Sequence, residues 1–147
     1  MGILADLFVA TPPEAAVYEE TLLRDLAAAE EQYDPARFRG LTDLNFSILW
    51  AMLAGEQWDL KKHALTTVRL VEPGETWLFR FPQPFCELLA ALSDEEVRKV
   101  SQQWAETEEL TLDRWTVADV LPVVERLREL SRQAINSDDD LFLWGSL

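Results

Sequence analysis

Hydrophobic positions change their spacing several times along the chain, and each change marks an element. Residues 3–9, "ILADLFV", are a short apolar run ending at the breaker "ATPPE", the pattern of a buried strand. In that breaker Thr11 suits an N-cap, Pro12 suits the first helical position, and Glu14 completes a Thr-x-x-Glu capping box. The spacing then predicts a helix over about 12–32. Tyr18, Leu22, Leu26, Ala29 and Tyr33 form its apolar stripe, with Glu19, Glu20, Arg24 and Glu31 on the wet side. "YDPARFRG" reads as a connector, since Asp34-Pro35 favours a turn and Gly40 ends the segment. In "LTDLNFSILWAMLAG" apolar residues cover nearly every side, which places a helix in the middle of the core, with Gly55 as its stop.

The clearest hairpin follows. "TTVRLV" (66–71) and "TWLFRF" (76–81) flank "EPGE", where Pro73-Gly74 is the pair a type II turn prefers. Pairing Val71 with Thr76 sets Leu70 against Trp77, Val68 against Phe79 and Thr66 against Phe81 on one core-like face. Arg69–Leu78 and Thr67–Arg80 take the other. Three closing helices are expected, over about 84–92, from a Ser93/Glu96 capping box through Val97, Val100 and Trp104, and after Thr116, with Pro122 tolerable in the third. "LFLWGSL" has the character of a final strand. No repeat or dividing linker is visible. The order reads β-α-α-β-β-α-α-α-β. It predicts one α+β domain over 1–147, a small mixed sheet of terminal strands plus central hairpin covered by about five helices.

Charge changes this picture. The net charge is −14, and it is uneven. Residues 1–35 hold eight acids and one base, net −7; residues 36–86 hold five acids and six bases, net +1; residues 87–147 hold fourteen acids and six bases, net −8. Acidic ends around a near-neutral middle argue against nucleic-acid phosphates and are compatible with a basic protein partner. The start "MGILADLFVA" lacks a basic leader region and is too short to span a bilayer, so a cytoplasmic protein without membrane contact is expected.

Candidate chemistry is sparse. Cys86 is the only cysteine, which excludes an intramolecular disulfide and a cysteine-based metal cluster. His63 is the only histidine, so no two-histidine zinc site exists, and there is no G-x-S-x-G elbow or glycine-rich phosphate loop. "DDD" (138–140) lacks the alternating ligands of a calcium loop and reads as a solvated turn. No metal, cofactor or catalytic residue is assigned. The one unusual stretch is "QQWAETEELTLDRW", where Glu108 and Glu109 fall at the expected end of a helix. A helix C-terminus disfavours carboxylates by roughly 0.3–1 kcal/mol each. An arginine partner (Arg80, Arg37 or Arg39) would offset that cost. Alternatively the pair serves a site with Trp104, Thr107, Arg80 and Trp115 as its other candidate residues.

The run "FRFPQPFCELLAALSDEEVRKVSQQWAETEEL", with "ELSRQA" and "LFLWGSL", resembles a family of small uncharacterised acidic bacterial proteins. The likeness covers roughly residues 77–147, and its recurring elements are W-A-x-T-E-E and an aromatic C-terminal strand. It implies that Trp104, Thr107, Glu108 and Glu109 form a unit, and it brings no activity with it.

Three readings of function follow. The leading one is a non-enzymatic interaction protein whose acidic helices face a basic partner; immunity-type proteins that neutralise a cognate effector are one such case. The second is a small-ligand binder or hydrolase-like enzyme using Glu108 or Glu109 with Arg80 or His63 in a tryptophan-lined pocket. The third is a structural homo-oligomer, a homodimer in the simplest case, joined through "LFLW" on a sheet edge.

Overall fold

A computed structural model of the chain describes residues 2–71 and 75–147. The expected turn at Pro73-Gly74 lies outside the described residues. The α+β architecture is as expected, with β1 (Leu4–Ala10), β3 (Thr66–Val71), β4 (Thr76–Arg80) and β5 (Asp140–Ser146) near their predicted places. A further strand, β2 (Ala36–Arg39), occupies what reads as a connector. The sheet order is β2-β1-β5-β4-β3, and every ladder is antiparallel rather than mixed.

This order puts β5 in the middle. "LFLW" is therefore not an edge strand, and the argument for joining two copies through it does not hold. The edges are β2 and β3. The hairpin register holds for Val71–Thr76, Leu70–Trp77 and Arg69–Leu78, then slips. Thr67 pairs with Phe79 and Thr66 with Arg80, because Val68 bulges out. Trp77 and Phe79 are buried as expected, whereas Val68 and Leu70 on the edge strand are exposed.

Nine helical segments, rather than about five, are found among the described residues. The single helix expected over 12–32 is three: α1 (Pro12–Ala16), α2 (Tyr18–Arg24) and α3 (Leu26–Tyr33). Asp25 makes the second break. Its backbone is extended, and its carboxylate accepts the Ala28 N–H at 3.2 Å, so it caps α3. The new direction sends Ala29 and Tyr33 to the sheet and leaves Leu26 outside. α4 (Asp43–Ala54) and α5 (Leu60–His63) precede the hairpin; α6 (Gln83–Ala90), α7 (Asp94–Ala105), α8 (Glu108–Leu112) and α9 (Val117–Ser137) follow it.

The boxes at Thr11/Glu14 and Ser93/Glu96 form as read, and Thr42/Asn45 and Thr116/Asp119 add two more. Hydrogen bonds from the cap backbone hold Glu14, Glu96 and Asp119 below the usual carboxylate range.

The layers follow from strand alternation. Ala5, Leu7, Leu141, Leu143, Trp77 and Phe79 face the larger core with residues of α4 and α6–α9. Phe8, Ala10, Phe142, Trp144 and Leu78 face Ala15, Tyr18, Ala29 and Tyr33 from α1–α3. β5 is thus covered on both sides, which explains its unbroken apolar run.

Gly145 sits opposite Trp77 across the β4–β5 ladder. A Cβ there would stand inside the indole, with even Cζ2 only 2.8 Å away. The indole can approach the strand this closely because that residue has no side chain. Gly145→Ala is expected to force Trp77 out of place and destabilise the fold by about 1–3 kcal/mol, the usual cost of overpacking. Urea denaturation would check this, and an unchanged midpoint would refute it.

Candidate functional site

The sheet face toward α1–α3 is only partly covered. Register places Arg39, Leu4, Ser146 and Thr76 in one row across four strands, and Arg37, Asp6, Trp144 and Leu78 in the next. α1–α3 close over the Phe8 and Phe142 end of this face, where Phe8 stacks on Tyr18 at 4.1 Å between ring centres. The other end stays open. There Leu22, Leu23 and Leu26 of α2 and α3 form a wall above the floor of Leu4 and Trp144. The groove measures about 520 Å³, within the range of roughly 300–1,000 Å³ typical of small-molecule sites. Leu23 and Leu26 are 77% and 52% exposed, so the wall presents unpartnered apolar surface.

Polar groups stand at fixed points along this groove. Asp6 is only 3% exposed, a carboxylate inside an otherwise apolar strand. Tyr18 Oη donates to its Oδ2 at 2.6 Å, and Arg37 Nε stands 3.5 Å from the same oxygen. Arg37 Nη1 also donates to Glu30 Oε1 at 2.5 Å. Burial pushes the Asp6 carboxyl above its usual range, against the opposing pull of Tyr18 and Arg37. Burial first, then the Asp6 carboxylate, push the Tyr18 phenol up and keep it a donor. Glu19 is likewise engaged: Oε1 accepts Trp144 Nε1–H at 3.0 Å, and Oε2 lies 3.6 Å from Arg69 Nη2.

Two groups at the groove are not engaged. Thr76 Oγ1 is buried without a hydrogen-bond partner. Arg39, exposed at the end of β2, forms no ion pair among the described residues. The groove thus combines an apolar body, two acids already neutralised, and one cation without a counter-charge.

The residues singled out in the sequence fall elsewhere. Trp104 is fully buried, packs near Phe46 and donates its Nε1–H to the Asn45 carbonyl at 3.1 Å. Thr107 is the N-cap residue of α8, and its hydroxyl donates to the Trp104 carbonyl at 2.7 Å. Glu108 and Glu109 do not end a helix. α7 stops at Ala105, and the two acids open α8, where the helix dipole favours them. Neither forms an ion pair among the described residues, so no arginine was needed; Glu109 Oε2 is buried without a partner. Arg80 pairs with Phe142 on the opposite sheet face from the α7–α8 layer. Trp115 lies half-buried beside Gly40. The six candidates are therefore not brought together as one site.

His63 is a buried packing residue. Its Nδ1 accepts the Asp59 N–H at 3.0 Å, Nε2 lies 3.2 Å from Glu56 Oε1, and the ring meets Trp50 edge-on. Lys62 also pairs with Glu56, and these two partners hold the Glu56 carboxyl below its usual range. Burial pushes the Cys86 thiol up to about 12, so it is an inert core group.

Comparison of the chain with family models, curated proteins and solved structures finds no match. The groove's sequence signals were Asp6 within "ILADLFV" and the alternation Arg37-Phe38-Arg39, which puts both arginines on one strand face. A charge inside a buried strand requires a partner.

Asp6 gives a test with a definite sign. Its folded carboxyl titrates above the ordinary value of 3.8. The ionised form therefore costs stability, a cost absent below that value and growing as pH rises through the folded one. Asp6→Asn is uncharged throughout and still accepts the Tyr18 hydrogen bond. Urea denaturation is expected to show the stability difference shifting in favour of D6N from about pH 3 to about pH 7. A shift the other way would mean that Arg37 and Tyr18 outweigh burial.

Proposed function

We propose that the protein is a non-catalytic binding domain and that the groove between α2–α3 and the open end of the sheet is its binding site. The observation that carries this reading is an apolar cleft of small-molecule size, walled by Leu22 and the exposed Leu23 and Leu26, on a floor fixed by the buried Asp6–Tyr18–Arg37 network. Burying such leucines against a ligand contributes about 25 cal/mol per Å² of apolar area removed from water. The floor is preorganised by hydrogen bonds, so little ordering cost attends binding. Tyr18 is committed to Asp6 and held protonated, which suits a positioning group rather than a nucleophile.

A second reading has its own observation. Glu106, Glu108 and Asp113, around α8, are exposed and unpaired among the described residues. They support an electrostatic surface for a basic protein partner, the role in which an immunity-type protein would act.

A neutral naphthylamine dye tests the groove. Its fluorescence is expected to rise on binding, and Leu23→Glu with Leu26→Glu, both at exposed positions, is expected to weaken binding at least about tenfold, or about 1.4 kcal/mol. Equal binding by the double variant would overturn the site assignment. For the acidic surface, oligolysine binding is expected to fall with added salt and in the E106Q/E108Q/D113N variant; salt-independent binding would refute it.

A further inference from the structure

We propose, resting on the groove reading above, that the ligand is a small amphipathic anion, an aliphatic carboxylate of medium length, with its head on Arg39 and its chain directed toward Thr76. Three observations carry this. The first is the state of the charges. Asp6 is held by Arg37 and Tyr18, Arg37 is also held by Glu30, and Glu19 is held by Arg69 and Trp144. Arg39 alone among the groove's charged residues has no opposite charge among the described residues. In a molecule of net charge −14, a cation left without an acid beside an apolar cleft is suited to an incoming anion.

The second observation is length. Arg39 and Thr76 stand at opposite ends of one row, with Leu4 and Ser146 between them. Three strand spacings separate them, about 14 Å. Carbon–carbon bonds of about 1.5 Å at near-tetrahedral angles advance roughly 1.25 Å each, so the row matches a chain of roughly ten to twelve carbons. The third is the lining: Leu22, Leu23, Leu26 and Trp144 offer apolar contact along that row, as an alkyl chain requires.

Isothermal titration with dodecanoate, dodecanol and dodecylamine, each below its aggregation limit, separates the possibilities. Dodecanoate is expected to bind most tightly, and Arg39→Gln is expected to weaken it about tenfold. Dodecanol binding should be unchanged by R39Q, which shows that the variant keeps the groove intact. If dodecanol binds the wild type as well as dodecanoate, the head-group assignment fails while the groove reading stands. Tighter dodecylamine binding would place the polar contact on Asp6 or Glu19 and overturn the proposal. If none of the three binds, the groove reading falls with it.

Discussion

β5 exchanges backbone hydrogen bonds with β1 on one side and β4 on the other, and both of its faces are buried. Among the described residues no other strand joins the β1–β2 pair to the β3–β4 pair. Both cores are therefore built on one seven-residue segment. Leu141 and Leu143 serve the larger one, and Phe142 and Trp144 the smaller. Gly145 then lets Trp77 cross the strand at a distance no other residue permits. A central strand buried on both faces tolerates neither a register slip nor added volume, because each residue is fixed from two directions.

That central position also shapes the groove. Trp144 and Ser146, at the C-terminal end of β5, both line it. Asp6 beside them is an expensive group to bury, and an unpaired carboxylate there would cost several kcal/mol. Tyr18, Arg37 and, through Arg37, Glu30 offset the cost and tie α2, β2 and α3 to β1. The same bonds that satisfy the charge hold the groove's floor and wall at a fixed separation.

Much of this was legible in the chain. β1, β4 and β5 stood out as short apolar runs, and capping boxes at Thr11 and Ser93 marked where helices begin. β2 was not legible because four residues, two of them arginines, carry too little apolar pattern, and their pairing with Leu4–Leu7 is purely tertiary. The long helix over 12–32 was over-read because Asp25 prefers bonding its own backbone to continuing the helix, a competition that stripe periodicity does not register. Glu108 and Glu109 were misjudged by a short distance along the chain. With α7 ending at Ala105, an apparent dipole conflict becomes a favourable N-terminal placement. The groove drew on residues near 4–6, 19–26, 37–39, 76 and 144–146, segments that no local spacing could bring together.

The placement of β5 has a consequence for the order of assembly. During synthesis, β1 with β2 and β3 with β4 can each pair as soon as they emerge, but they remain two separate ribbons with unpaired inner edges. A nascent chain halted before Leu141 would present those edges and the bare faces of Leu7, Phe8 and Leu78 to solvent. Non-local pairing of this kind is slow and exposed to aggregation. The interval before the final strand is released is therefore the point at which a holdase chaperone would find most to grip.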